Sequence, residues 1–176
     1  FSVYSHDRSR AGILGRTLEY RMTAAHETWP GHHLLDSCRW NLPGALRRPV
    51  EQPLCYEGWA CLAEGLLAFS GYFDGPWDAF ILARRRIQRA ARGLADLGLQ
   101  TGQLKFIDAV QLLVESGYSR QRAESVLPKY ALRPGYQTCY TIGIRKGLNL
   151  LEESAAGDPV NFSQTFLREG QIGFSA

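Results

Sequence analysis

Three of the four histidines in this 176-residue chain fall within eight residues, His26-Glu27-Thr28-Trp29-Pro30-Gly31-His32-His33. The residue types match what zinc hydrolases require: imidazoles that hold a metal ion, and a carboxylate that takes a proton from water. The fourth histidine, His6, stands apart from the segment. Clustering of this kind is not a consequence of composition, and it sets the first question: can these side chains meet?

On a regular helix they cannot. The common zinc-peptidase helix places two histidines at i and i+4, one turn apart on one face. His26 and His32 are six residues apart, which at roughly 100° per residue leaves them about 120° apart around the axis. His33 returns to the face of His26 but lies about 10 Å further along the axis. Pro30 and Gly31 supply the distortion that either pairing requires. Proline lacks an N–H and clashes with the preceding turn, while glycine takes backbone angles closed to other residues. The pair should break or bulge the helix and let the second histidine swing back. Glu27 adjoins the first histidine, where a general base for water is expected.

A catalytic zinc takes three protein ligands and keeps a position for water. Glu57, in Tyr56-Glu57-Gly58-Trp59-Ala60, is placed to complete a two-histidine, one-carboxylate set, with Gly58 permitting close approach of a neighbouring backbone. Glu64, seven residues on and nearly on the same face, is the competing ligand or a partner for a ligand histidine. The residues also admit a plainer reading: surface or core histidines without a metal, and Glu57 as an acid stabilised near a helix N-terminus. Spacing alone does not choose between the two.

The elements that must position these residues read as helices almost throughout. Leu18, Met22, Ala25 and Trp29 recur at helical spacing over residues 17–29. Residues 42–53 hold Pro43, Gly44, Pro49 and Pro53 and read as a loop. Helical character resumes near Tyr56 and runs through Trp59, Leu62, Leu66 and Phe69 towards Gly71. A turn at Gly75-Pro76 starts a long amphipathic helix to about Leu97, with Phe80, Ala83, Ile87 and Leu94 along one side and Arg85, Arg89 and Arg92 along the other. Two shorter helices follow, residues 106–115 and 119–127, the second capped by Ser119 and ended by Pro128. Residues 140–153 and 162–168 complete the set, and residues 1–4 are the one stretch that reads as an edge strand. The expected fold is mainly α, with little or no sheet.

Composition narrows the function classes. Hydrophobic residues at 45% and charged residues at 21% describe an ordinary globular domain, and the length suits a single one. A net charge of +3 is too small to indicate a nucleic-acid partner, and Arg84-Arg85-Arg86 reads as a solvated helix face. No apolar run approaches the ~20 residues of a membrane span. Cys38, Cys55, Cys61 and Cys139 are scattered, form no C-x-x-C pair and read as buried or half-buried thiols. Phe1 is not an initiator methionine, so the chain is expected to be a processed product or a piece of a longer protein.

The chain resembles the bacterial zincin-like proteins catalogued as domain-of-unknown-function family 885. The resemblance is carried by the histidine segment, then Glu57-Gly58-Trp59-Ala60-Cys61-Leu62-Ala63-Glu64, Arg89-Ala90-Ala91-Arg92 and Asp96-Leu97-Gly98-Leu99. It continues through Lys129-Tyr130, Pro134-Gly135-Tyr136-Gln137 and Tyr140-Thr141-Ile142-Gly143, in the family's order and over most of the chain. What the resemblance implies is a single zincin-like (gluzincin-type) catalytic domain over residues 1–176, corresponding to the C-terminal part of longer relatives. It implies Zn2+ as cofactor, His26, His32 and Glu57 as metal ligands, and Glu27 as general base. His32 is preferred to His33 because the family's histidine directly follows Pro-Gly. Asp96 is implied to hold a ligand or orient an arginine, and Gln100 stands where many relatives carry a histidine. The implied activity is that of a zinc-dependent peptidase or amide hydrolase acting on a peptide or other amide. Tyr140 or Tyr130 would donate a phenolic O–H to the tetrahedral oxyanion. The contrasting reading is a helical binding or scaffold domain that retains the metal site without catalysis.

Overall fold

The computed structural model describes residues 10–154 and 158–171. Eight helices account for the regular structure among these residues, and no strand occurs among them. In chain order they are α1 (Arg10–Glu27), α2 (His32–Trp40), α3 (Pro53–Phe69), α4 (Pro76–Gln100), α5 (Phe106–Glu115), α6 (Arg120–Tyr130), α7 (Thr138–Glu153) and α8 (Pro159–Glu169). The mainly α expectation holds. The edge strand expected at residues 1–4 lies outside the described residues. No described helix is long and apolar enough to cross a membrane.

α3 is the central element, because its sequence is apolar on nearly every side: Cys55, Trp59, Ala60, Cys61, Leu62 and Ala63 are all buried. A helix without a polar face must be surrounded, and α1, α2, α4 and α7 pack around it. The closest packing is with α7, where Gly58 and Gly143 meet. A Cβ on Gly143 would sit 2.4 Å from the Leu54 carbonyl oxygen and 2.6 Å from the Gly58 Cα. No other residue type fits, and this crossing brings the start of α7 against Glu57.

Three apolar clusters hold the assembly. Leu18, Met22 and Ala25 of α1 pack with Phe73, Ile81 and Leu82. Leu35, Trp59, Leu62 and Phe162 join α2, α3 and α8. Ala91 and Ala95 of α4 pack with α5 and α6 through Val110, Leu113 and Leu127. Fully burying a side chain the size of Met22 or Leu35 stabilises by about 1.5–3 kcal/mol, so α1 and α2 are fixed firmly on either side of the histidine segment.

Several boundaries differ from the sequence reading. The first helix ends at Glu27 rather than Trp29, which is 62% exposed, because the Pro30-Gly31 break takes effect earlier. α6 continues through Pro128 to Tyr130: at the end of a helix, the N–H that proline lacks costs one bond and leaves the final turn intact.

The orientation of α4 is the larger correction. Phe80, Ile87 and Leu94, the expected core side, are 54%, 58% and 59% exposed, whereas Arg89 is buried. The face turned inward carries Ala91, Gly93, Ala95 and Gly98, small residues that let neighbouring helices approach closely. Arg84-Arg85-Arg86 is likewise not simply a solvated face. Arg84 and Arg85 both pair with Glu19, and Arg85 also reaches Glu64.

Candidate metal centre

The centre begins with a helix break. α1 stops at Glu27 and α2 starts at His32, so the residues between them form a tight turn that includes a cis Trp29–Pro30 peptide bond. Two features fix its path. The Trp59 indole N–H donates to the Pro30 carbonyl at 2.9 Å. Gly31 passes so close to α1 that a Cβ there would lie 1.8 Å from the His26 carbonyl oxygen. Glycine is therefore obligatory, and the turn folds the second histidine back beside the first. The His26 and His32 rings end 4.7 Å apart, edge to face.

One donor atom from each of His26, His32 and Glu57 lies within 4.8 Å of the others, and all three residues are buried. The Glu57 Oε2 sits 3.5 Å from the Nε2 of each histidine. His33 is exposed; the structure thus brings His32, not His33, into the group. Two imidazoles and a carboxylate oxygen, drawn from three helices and turned towards one point, have the donor chemistry of a metal site.

Each of the three is held from behind. Glu57 Oε1 accepts hydrogen bonds from Tyr136 at 2.6 Å and Tyr140 at 3.0 Å, while Oε2 is buried without a hydrogen-bond partner. His32 stacks on Tyr56 at 3.9 Å between ring centroids, and the Tyr56 hydroxyl donates to Asp36 at 3.1 Å. His26 Nδ1 lies 2.9 Å from Glu64 Oε1 and 3.3 Å from an Arg89 nitrogen. A ring nitrogen cannot serve both. The shorter contact is to the carboxylate, so Nδ1 carries the hydrogen and donates to Glu64, leaving Nε2 to face Glu57. This is the arrangement in which a ligand histidine is oriented by a carboxylate behind it.

Glu64 does not join the three. It is fully buried and saturated by cations, accepting from Arg89 at 2.6 and 2.8 Å and from Arg85 at 3.1 and 3.4 Å. Of the two roles the sequence left open to it, the structure gives it the supporting one. The ionisation equilibria follow these contacts. Burial opposes charge on Glu57, but the His26 and His32 imidazoles facing Oε2 and the Tyr136 hydroxyl on Oε1 hold its carboxyl well below the usual carboxylate range. Burial opposes charge on Glu64 as well, and Arg89 and His26 outweigh it. Burial works against a charged His26 too; hydrogen bonds with Cys61, Glu57 and Glu64 outweigh it and push the imidazole up to about 10.

The remaining expected residues fall at different distances from the centre. Glu27 is exposed and lines a cleft of about 340 Å³ together with His26, Tyr140 and several arginines. Tyr140 touches the centre through Glu57, whereas Tyr130 does not reach it. The Tyr130 side chain packs among α4, α5 and α6, with a buried, unpartnered hydroxyl that burial pushes up to about 12. Asp96 neither joins the donor group nor orients an arginine. It accepts from the backbone N–H of Gly135 at 3.2 Å and Gln137 at 3.0 Å, and Gln100 lies 3.5 Å from it. By gripping the residues on either side of Tyr136, Asp96 aims that phenol at Glu57.

Tyr136 and Arg89 are the contributors that sequence reasoning missed. Tyr136 has no helical spacing to any of the three candidate ligands and becomes a partner of Glu57 only through the Asp96 grip. Arg89 carried a signal: a second glutamate two turns after Glu57 on an apolar helix needs a buried cation, and α4 offers arginines. All four cysteines are free thiols, buried or half-buried as expected.

Residues 3–176 match the family described as bacterial protein of unknown function (DUF885), and the chain belongs to that family. No curated protein matches the chain.

Proposed function

We propose that the protein is a zinc-dependent peptidase or amide hydrolase with a zincin-like site. The observation that carries this reading is the convergence of His26, His32 and Glu57 beside an open cleft on which Glu27 also lies. The residues fit a metal. Glu57 Oε2 is a buried carboxylate oxygen without a hydrogen-bond partner, an arrangement costly for an anion unless a cation completes it. The protein would hold the ion with two neutral imidazoles and one carboxylate, the number typical of catalytic rather than structural zinc. When bound, zinc supplies Lewis acidity to the scissile carbonyl and lowers the pKa of water towards about 7.

The chain's own groups perform the rest. Glu27 accepts the proton of the attacking water as its oxygen bonds to the carbonyl carbon. Glu27 then delivers that proton to the amine nitrogen as the C–N bond breaks. Tyr140 lines the same cleft, and by turning its hydroxyl from Glu57 Oε1, which Tyr136 continues to hold, it donates to the developing oxyanion. Glu64, itself fixed by Arg89, keeps His26 in the tautomer that presents Nε2, and Tyr136 keeps Glu57 turned so that Oε2 remains available.

The test is a peptide-library digest with wild-type and Glu27→Gln chains, each with its metal content measured by elemental analysis. Zinc near one per chain in both, with turnover lost by about 10²–10⁴-fold in the variant, is the expected result. Full activity of Glu27→Gln would show that the mechanism is wrong. Bound zinc with no hydrolysis by the wild type would favour the binding-domain reading.

A further inference from the structure

The cleft beside the metal centre carries more positive charge than the centre requires. Arg85 and Arg89 are committed to Glu64, but Arg92 and Arg122 on the same wall are not. Among the described residues, no carboxylate lies within ion-pair distance of Arg92, Arg122 or Arg133. Each of these guanidinium groups instead rests on a tyrosine ring: Arg92 at 4.6 Å from the Tyr140 centroid, Arg122 at 5.8 Å from Tyr118, and Arg133 at 5.0 Å from Tyr136. Stacking on a ring face leaves the edge of the guanidinium fork free, and that edge matches a carboxylate in two parallel hydrogen bonds.

A second cleft of about 310 Å³ adjoins the first and shares Arg92, Tyr118, Arg122 and Tyr140 with it. Its lining includes Lys129 and the Tyr130 ring. Two buried polar atoms in this region lack partners, the Tyr130 hydroxyl and the Arg92 Nε. An N–H and an O–H donor, both unsatisfied, beside unpaired cations are the complement of an anion. The acidic residues of the first cleft, Glu19 and Glu27, do not fill that role, since Glu19 is paired with Arg84 and Arg85 and Glu27 adjoins the ligand His26.

We propose that Arg92, with Arg122 and the Tyr130 hydroxyl, binds a carboxylate of the substrate. The assignment rests on the hydrolase reading above and gives it a substrate class. Tyr140 connects the two positions, since its hydroxyl touches Glu57 while its ring face carries Arg92. One tyrosine side chain is spanned by one or two extended residues at about 3.5 Å each. A carboxylate held by Arg92 is therefore one or two residues from an amide held at the metal centre. The substrate is a peptide cleaved near its C-terminal carboxylate, releasing a single amino acid or a dipeptide; an acidic side chain at the same position would supply the same chemistry.

The experiment compares N-acetyl-dialanine with its C-terminal amide by NMR titration of the full chain, as purified and after removal of metal with a chelator. The acid should bind at least 10-fold more tightly than the amide in both states. Arg92→Gln and Arg122→Gln should each bring the acid-to-amide ratio close to one, whereas Arg145→Gln, which removes the same charge from another exposed site, should leave it unchanged. Arg122 is exposed, so its replacement reports on binding without threatening the fold. An amidated peptide with an internal glutamate forms the third arm. If it matches the free acid, the side chain is an equal source of the recognised carboxylate, and recognition by Arg92 stands. Equal binding of acid and amide overturns the proposal. So does a preference that survives in both arginine variants, or one that vanishes when metal is removed. Failure of the hydrolase reading looks different: no product from any peptide with metal bound, while the acid-over-amide preference persists.

Discussion

α3 carries two buried glutamates two turns apart, and they are used in opposite ways. Glu57 is held by phenols, neutral donors that fix one oxygen and leave the negative charge intact. Glu64 is held by Arg85 and Arg89, which cancel its charge and occupy both oxygens. A carboxylate fixed by neutral donors remains an attractive ligand for a cation, and one fixed by guanidinium groups does not. The partner, more than the glutamate, decides which becomes a candidate ligand and which a brace for His26.

The comparison is most directly broken at Glu57. Glu57→Ala should abolish stoichiometric metal binding, as measured by elemental analysis, while the thermal transition survives. Glu64→Ala should do the reverse in emphasis. Leaving Arg89 buried and unpaired costs about 3–5 kcal/mol, which for a chain of this size lowers Tm by roughly 6–20 °C in a calorimetric scan. Metal affinity should also fall by about 10–100-fold, because His26 loses its orienting acceptor. If Glu64→Ala proved as stable as wild type, Glu64 would not be the structural member of the pair.

How much of this was legible in the sequence depends on the range of the signal. The helix break at Pro30-Gly31 and the three donors were readable, because local backbone chemistry and residue type carry them. The facing of α4 was not. Its large apolar residues suggested one inward side, but packing selected the side with small residues, and Arg89 entered because a buried Glu64 waited for it. Tyr136 was invisible for a similar reason: its position depends on Asp96, some forty residues earlier in the chain.

Protonation sharpens the contrast between the two glutamates. His26, pushed up to about 10, is protonated at neutral pH in the metal-free chain. A metal ion must displace that proton. Calorimetry near pH 8 in buffers of different ionisation enthalpy should therefore find about one proton released per ion bound, and apparent affinity should rise with pH up to about 10. Stability follows by linkage in the metal-free chain. The contribution of His26, whose folded pKa is raised, is fully present below about pH 6.5 and is lost as pH rises towards 10. The two glutamates, whose folded pKa values are depressed, contribute above about pH 4.3 and lose that contribution on acidification. Denaturant midpoints across this range would check both signs.

The smallest expected effect lies in the phenols. Tyr136→Phe should weaken metal binding by about 10-fold, the low end for an outer-shell partner, since Tyr140 still holds the same oxygen. A loss of about 100-fold, the upper end for Glu64→Ala, would mean that a neutral partner matters as much as a charged one.

Gly58 and Gly143 bear on that distinction from a different direction. The glutamate before Gly58 and the phenol three residues before Gly143 belong to different helices, and the gap between them is set where the two backbones touch. The contact acts as a mechanical stop: the helices cannot close further, and a single added methyl would hold them apart. Gly143→Ala would thus change the spacing between Glu57 and Tyr140 without altering either group. The reach of the site is in this sense a dimension of the backbone, inherited from two residues that have no side chains to contribute.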